Sequence, residues 1–265
     1  MTDVSSNDEV AARDDAAHAL TERAQRALEA IDGGTLDEMR SLRDETERFM
    51  LRYKFGMDEV ITKLSILREE FGQTHAYNPI EHISSRLKSL DSVIEKMDRK
   101  GIEPTFDAIR GTITDIAGVR VTCSFVSDVY RVAELLTAQG DIRVLKEKDY
   151  IAAPKANGYQ SLHLIVEVPV FLSTGTHHVP VEVQVRTIAM DFWASLEHKI
   201  YYKYDRQVPA ELLDDLTDAA HTAAELDARM ERLHRELHGA AAGSAVGAPL
   251  VAAPAPGTPT RPIAV

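Results

Sequence analysis

The chain has 265 residues, a formal net charge of −12 and one cysteine. That acidity excludes a general polyanion binder, which carries a basic surface. A single thiol excludes an intrachain disulfide and fits a reducing, cytoplasmic compartment. No apolar run approaches the ~18 residues of a membrane span, and the acidic start is unlike a secretion signal.

Residues 1–16 are acidic and polar, and residues 239–265 are Ala, Gly and Pro with one charge. Neither end holds enough apolar surface to offset the entropy of ordering, so both are predicted to be disordered. Residues 17–77 read as a helical extension. A short helix over 17–31 stops at Asp32-Gly33-Gly34, and Thr35 caps a longer one running to about Gly72. Its apolar residues Leu36, Met39, Leu42, Phe49, Met50 and Tyr53 fall mostly at helical spacing, and Gly56 is a candidate break.

After Asn78-Pro79, the segment from Ile83 to Gly101 reads as one amphipathic helix, with Ile83, Leu87, Leu90, Ile94 and Met97 as its stripe. Lys88, Ser92, Lys96 and Arg99 share a different face. Such a face is either an ordinary solvated one or a grip for a polyphosphate. A strand is predicted over Gly118–Val126, with Asp115 before it and Arg120 within it. A carboxylate at the mouth of a strand suits Mg²⁺ held against phosphates, or simply makes a turn. A helix over Asp128–Gln139 stops at Gly140; a strand over Ile142–Val144 leads into the charged run Lys146–Asp149.

The stretch DYIAAPKANGYQSLH, Asp149 to His163, places a flexible turn with Lys155, Asn157, an exposed Tyr159 and Gln160 ahead of a strand over Ser161–Val168. Polar turns of this kind carry binding residues more often than packing ones. The next strand, Val179–Thr187, alternates cleanly. Val179, Val181, Val183 and Val185 face one way, and Glu182, Gln184 and Arg186 face the other, as the floor of a ligand site. An aromatic helix over Ile188–Tyr204 and a last helix from Pro209 to near His238 read as core or subunit contact. His177-His178 reads as surface, and Asp191 and His198 take no role from spacing alone. Metal-binding cysteine sets, a G-x-x-x-x-G-K-[ST] loop and a G-x-S-x-G elbow are all absent from the sequence. Two carboxylates, a cationic face and a polar turn suit Mg²⁺-dependent chemistry on a nucleotide phosphate. They do not name the acceptor.

Four blocks extend the reading. R-x-K-x-x-x-S-x-x-x-K (Arg86–Lys96), D-I-A-G-V-R (Asp115–Arg120), D-Y-I-x-x-P-K-x-N-G-Y-x-S-L-H (Asp149–His163) and E-V-Q-V-R-T (Glu182–Thr187) resemble, in order, the synthetase domain of RelA/SpoT-type enzymes, here over about 78–204. The resemblance implies an α+β fold: a nucleotidyltransferase-like mixed β-sheet flanked by helices, with helical N- and C-terminal extensions at 17–77 and 205–238. It implies transfer of the β,γ-pyrophosphoryl group of ATP to the 3′-hydroxyl of GDP or GTP, with Mg²⁺. By position, Asp115 and Glu182 would hold the metal and do the chemistry. Arg86, Lys88, Ser92, Lys96, Arg99, Arg120, Lys148 and Lys155 would bind ATP; Tyr159, His163, Gln184 and Asn157 would bind the acceptor. Family likeness further implies a homotetramer, regulation by the alarmone or by single-stranded RNA, and no membrane partner. Two other readings stay open: a toxic small synthetase acting on tRNA 3′ ends or adenine nucleotides, and a non-catalytic alarmone- or RNA-binding module.

Overall fold

The computed structural model describes residues 33–204 and 208–244. In chain order the elements are α1 (Gly33–Thr74), β1 (Ile80–Leu87), α2 (Leu90–Lys100), α3 (Phe106–Thr112), β2 (Ala117–Cys123), α4 (Val126–Thr137), β3 (Arg143–Asp149), β4 (Leu162–Leu172), β5 (Gly175–Thr187), α5 (Ile188–Lys203) and α6 (Ala210–Ser244). The strands form one mixed sheet in the order β1-β2-β5-β4-β3. β2 runs parallel to β5, and the other neighbours are antiparallel.

The sheet has one apolar and one polar face. Val181, Val183 and Val185 of β5, Val119 and Val121 of β2, and Leu164 and Val166 of β4 are buried on the apolar side. Two helices cover that side. α1 contributes Phe49, Tyr53, Val60 and Leu64, at spacings of four or seven that keep them on one stripe, and α4 contributes Val129, Val132 and Leu136. α6 lies across α5, where the Trp193 indole N–H donates to the Leu216 carbonyl at 2.7 Å.

Gly56 does not break α1. The helix is continuous through it, and a Cβ there would meet Val179 Cγ1 at 2.7 Å. The glycine lets helix and sheet approach closely, at a helix-propensity cost of about 1 kcal/mol that the contact offsets.

The largest correction falls on Ile83–Gly101. Its first part is strand β1, antiparallel to β2, and only Leu90–Lys100 is helix, capped by the Ser89 hydroxyl and ended by Gly101 at φ 62°. Pairing with a distant strand overrode a local spacing that fits a helix. Lys88 therefore sits in the turn between the two, off the predicted helical face. The charged run Lys146–Asp149 belongs to edge strand β3, whose ionic side chains discourage pairing with a further chain. α6 continues past His238 to Ser244, through Ala residues that favour helix. α1 starts at Gly33, where a stop was expected. The helix expected over 17–31 and the disorder expected over 1–16 lie outside the described residues, as does the expected 239–265 tail from 245 on; its first residues, 239–244, are helix.

Candidate active site

The polar face carries the predicted residues in two rows. Register places Ser84 of β1 beside Arg120 of β2, Gln184 of β5, His163 of β4 and Lys148 of β3. The adjacent row holds Arg86, Gly118 and Glu182. A cavity of about 320 Å³ opens over these rows, lined by Arg86, Lys88, Asp115, Arg120, Glu182 and Gln184 among others.

On the β1 side, Asp115 lies in the loop leading into β2. One of its oxygens takes Lys96 Nζ at 2.6 Å and Lys88 Nζ at 3.2 Å. The other, Oδ1, is buried without a partner. Burial pushes this carboxyl up; the hydrogen bond of Lys96 and the charges of Lys88 and Lys96 outweigh it and hold it below its usual range. Arg86 and Arg120 lie diagonally on neighbouring strands, a spacing at which two guanidinium planes can flank one ring. Ser92 and Arg99 do not join them. The Ser92 hydroxyl accepts from Ser89 at 2.9 Å inside the helix cap, and Arg99 is exposed on the last turn of α2.

On the β4 side, polar groups interlock. Arg186 is buried and donates through one Nη to both the Tyr159 hydroxyl (2.6 Å) and Gln184 Oε1 (2.7 Å). Tyr159 then meets His163 Nε2 at 2.7 Å, and His163 Nδ1 meets Glu182 Oε1 at 3.2 Å. Gln184 Nε2 donates to Glu182 Oε2 at 3.0 Å. Arg186 thus reaches both oxygens of Glu182 by two routes, consistent with a histidine protonated at Nδ1 and accepting from the phenol at Nε2. Burial pushes the Glu182 carboxyl up, but the hydrogen bonds from His163 and Gln184 bring it below its ordinary value. The group is an ionised carboxylate at neutral pH.

Sequence reading put Arg186 on the floor of the site without giving it a task, and gave Asp191 no role. Asp191 Oδ1 receives Arg186 Nη1 at 3.3 Å and Arg120 Nη1 at 3.1 Å, so one carboxylate ties the two halves of the site together. A signal was present: an arginine on a strand's polar face, five residues before an aspartate in the following helix.

Tyr159 departs from expectation. Its ring is half-buried against Trp193, with Lys155 Nζ 4.4 Å and the Arg186 guanidinium 5.2 Å from its centroid. The turn that carries it is built rather than flexible. Asn157 Oδ1 accepts from Tyr159 N at 3.2 Å while its Nδ2 donates to Glu197. Gly158 holds φ 81° where a Cβ would come within 2.4 Å of Ala220 Cβ on α6. Asn157 is therefore occupied in shaping the turn. Lys148 stands at the rim, 6.0 Å from the Tyr150 centroid.

Among the described residues no group of three or more His, Cys, Asp or Glu is arranged to hold a metal. One or two carboxylates nonetheless suffice for Mg²⁺ when phosphate oxygens and water complete the shell. The buried, unpartnered Oδ1 of Asp115 fits such an ion.

Comparison with known proteins agrees with this geometry. Residues 85–207 match the region found in RelA / SpoT proteins. The chain is 50% identical over 188 residues to the GTP pyrophosphokinase YwaC of Bacillus subtilis, covering 71% of this chain and 90% of that protein. It is 39% identical over 178 residues to YjbM, a GTP pyrophosphokinase of the same organism, covering 67% and 83%. The structure of small alarmone synthetase 2 from Bacillus subtilis superposes with a TM-score of 0.67 at 48% identity, over 72% of this chain and 99% of that one. Small alarmone synthetase 1 from that organism, bound to its product pppGpp, gives a TM-score of 0.68 at 38% identity, over 72% and 97%. With this coverage and this sheet, the chain belongs to the small alarmone synthetases of the RelA/SpoT family.

Proposed function

We propose that this chain is a GTP pyrophosphokinase that moves the β,γ-pyrophosphoryl group of ATP to the ribose 3′-hydroxyl of GDP or GTP, releasing AMP. The observation that carries this reading is Glu182: an ionised carboxylate held at both oxygens, facing the same cavity as a lysine-bound aspartate with a spare buried oxygen.

In this reading ATP lies on the β1 side. Arg86 and Arg120 flank the adenine, and Lys88 and Lys96 transfer their attention from Asp115 to the phosphates. Asp115 would hold a Mg²⁺ through its free oxygen, assisted by Glu182, and the ion would supply charge neutralisation for the phosphates. The acceptor lies toward β4, its 3′-hydroxyl against Glu182. That carboxylate takes the hydroxyl proton as the oxygen attacks the β-phosphorus; the bond to the α-phosphate oxygen breaks, and AMP leaves with that oxygen. For guanine to stack on Tyr159, the Lys155 ammonium leaves the ring face and becomes available to phosphate. His163 and Gln184 bound the ribose. Lys148 stands at the rim for phosphate; Ser92, Arg99 and Asn157 are given no direct contact.

The same reading places the enzyme in the cytoplasm as a homotetramer, regulated by alarmone or single-stranded RNA. Support for self-association comes from two exposed apolar stripes: Ile188, Phe192 and Leu196 on α5, and Leu226, Met230, Leu233 and Leu237 on α6. Among the described residues no helix is long and apolar enough to cross a membrane.

The test is a transfer assay with γ-labelled ATP and Mg²⁺, offering GDP, GTP, ATP and deacylated tRNA separately, with Glu182→Gln beside the wild type. Label on GDP or GTP that disappears in the variant supports the proposal. Label on tRNA or ATP alone moves the acceptor, and binding without transfer makes the chain a nucleotide sensor.

A further inference from the structure

A second cationic pocket lies on the other side of the molecule, where α1 meets α3 and the β4–β5 hairpin. Arg48 and Arg52 stand four residues apart on α1, and Arg110 ends α3. Arg52, Arg110 and Phe49 together line two adjoining hollows of about 170 and 210 Å³. The first also reaches Tyr53, His177 and His178; the second reaches Arg48 and Glu45.

Two arginines at i and i+4 repel and weaken the helix that carries them. A third guanidinium converging from α3 adds to the repulsion. Among the described residues only Arg110 of the three has a close acid, Asp107 at 3.1 Å on its own helix, and that pair is exposed. Among the described residues no carboxylate lies within ion-pair distance of Arg48 or Arg52; Glu45, one turn before Arg48, stays outside it. In a chain of net charge −12, three converging guanidiniums are an uneven placement of charge.

A second observation is independent of charge. Tyr53 is 97% buried by its 3% exposure, lines the first hollow, and its hydroxyl has no hydrogen-bond partner. Burial pushes this phenol up to about 12, against the lowering charge of Arg110, so it is a protonated donor at any physiological pH. The hydroxyl is sealed from the hollow, so Tyr53 closes the hollow beside Arg52 and Arg110 rather than opening a donor into it.

The geometry points to a phosphoryl-anion site: we propose that the Arg48–Arg52–Arg110 pocket binds a compact di- or polyphosphate moiety. Guanidinium forks match the oxygen spacing of phosphate. Each hollow is below the size of a drug-like pocket, so the moiety, rather than a whole nucleotide, is what it encloses. The site is separate from the polar face of the sheet, because Phe49 and Tyr53 belong to the core packed on the opposite face.

Calorimetric titration of inorganic pyrophosphate into the full-length protein, saturated with AMPCPP and GDP, tests this. AMPCPP carries a methylene in place of the oxygen that would be cleaved, so both nucleotides stay bound and the catalytic cavity stays filled. The expected result is one further pyrophosphate per chain, weakened at least tenfold by Arg52→Gln and about threefold by Arg110→Gln, the two arginines that line both hollows. No pyrophosphate binding beyond the filled catalytic cavity overturns the proposal, and so does binding that both variants leave unchanged. Arg52 is half-exposed and Gln is a good helix former, so that variant keeps the fold.

Discussion

The two halves of the catalytic cavity are built differently. On the β1 side, Lys88, Lys96 and Asp115 form a cation-rich cluster in which the carboxylate leaves one oxygen unused, and Arg86 stands exposed. On the β4 side, every polar group of the Arg186–Tyr159–His163–Glu182–Gln184 circuit has a partner inside the circuit. In the proposed mechanism the first half exchanges its partners when a polyphosphate and metal arrive. The second is arranged before anything arrives, and preorganised groups lose no reorganisation energy at the moment of reaction. Substitutions on the two sides should therefore separate binding from turnover.

The largest effect is expected at the point where the halves meet. Glu182→Gln keeps the size of the side chain and its place on β5 but removes the proposed base; kcat should fall by about 10³, within the range for a general base, with unchanged circular dichroism. A loss below tenfold would take Glu182 out of that role. Next comes Arg186→Lys, which keeps the charge but cannot reach Tyr159 and Gln184 together. It should lower kcat about 30-fold with little change in the KM for ATP, and cost about 2 kcal/mol in a denaturant titration, as broken buried networks do. Equal losses in both KM values would make the arginine a general scaffold residue.

Lys88→Gln should do the reverse. The KM for ATP should rise about tenfold, with kcat within a factor of three and stability within about 0.5 kcal/mol, the usual range for a part-exposed pair. The smallest effect is one of pH. Both carboxyls sit below their ordinary values of 3.8 for Asp115 and 4.5 for Glu182. Their ionised forms add stability that is complete above those values and lost as pH falls through the lowered ones. The kcat/KM profile should stay level from neutral pH down to about 5. An acid limb centred at pH 6 would show that Glu182 is not held as described.

Much of the β4 half was legible in the sequence. Strict alternation across Val179–Thr187 put the valines in the core and Glu182 and Gln184 on the site face, because period two leaves no other assignment for a half-buried strand. The β1 half was harder. Ile83, Leu87, Leu90, Ile94 and Met97 satisfy a helix stripe, and nothing local reports that β2 waits to pair with Ile80–Leu87. Only Ser89, a good cap ahead of Leu90, hinted at a helix starting there. Lys88 and Lys96 still converge on Asp115, through a turn and a helix rather than one face. Arg186 was placed on the polar face but given no task, since its partners Tyr159 and Asp191 belong to other elements.

The parallel pairing of β2 with β5 has a consequence for how the enzyme comes into being. Asp115 and Glu182 are neighbours only because β5 docks beside β2 after α4, β3 and β4 have all been threaded between them. Closing so long a loop is entropically slow, and pairings of high sequence separation form late in folding. A chain still emerging from the ribosome contains Asp115, Lys88 and Lys96 well before Glu182 has been made. Pyrophosphoryl transfer is thereby reserved for the completed fold: no partly made copy can draw on the ATP pool.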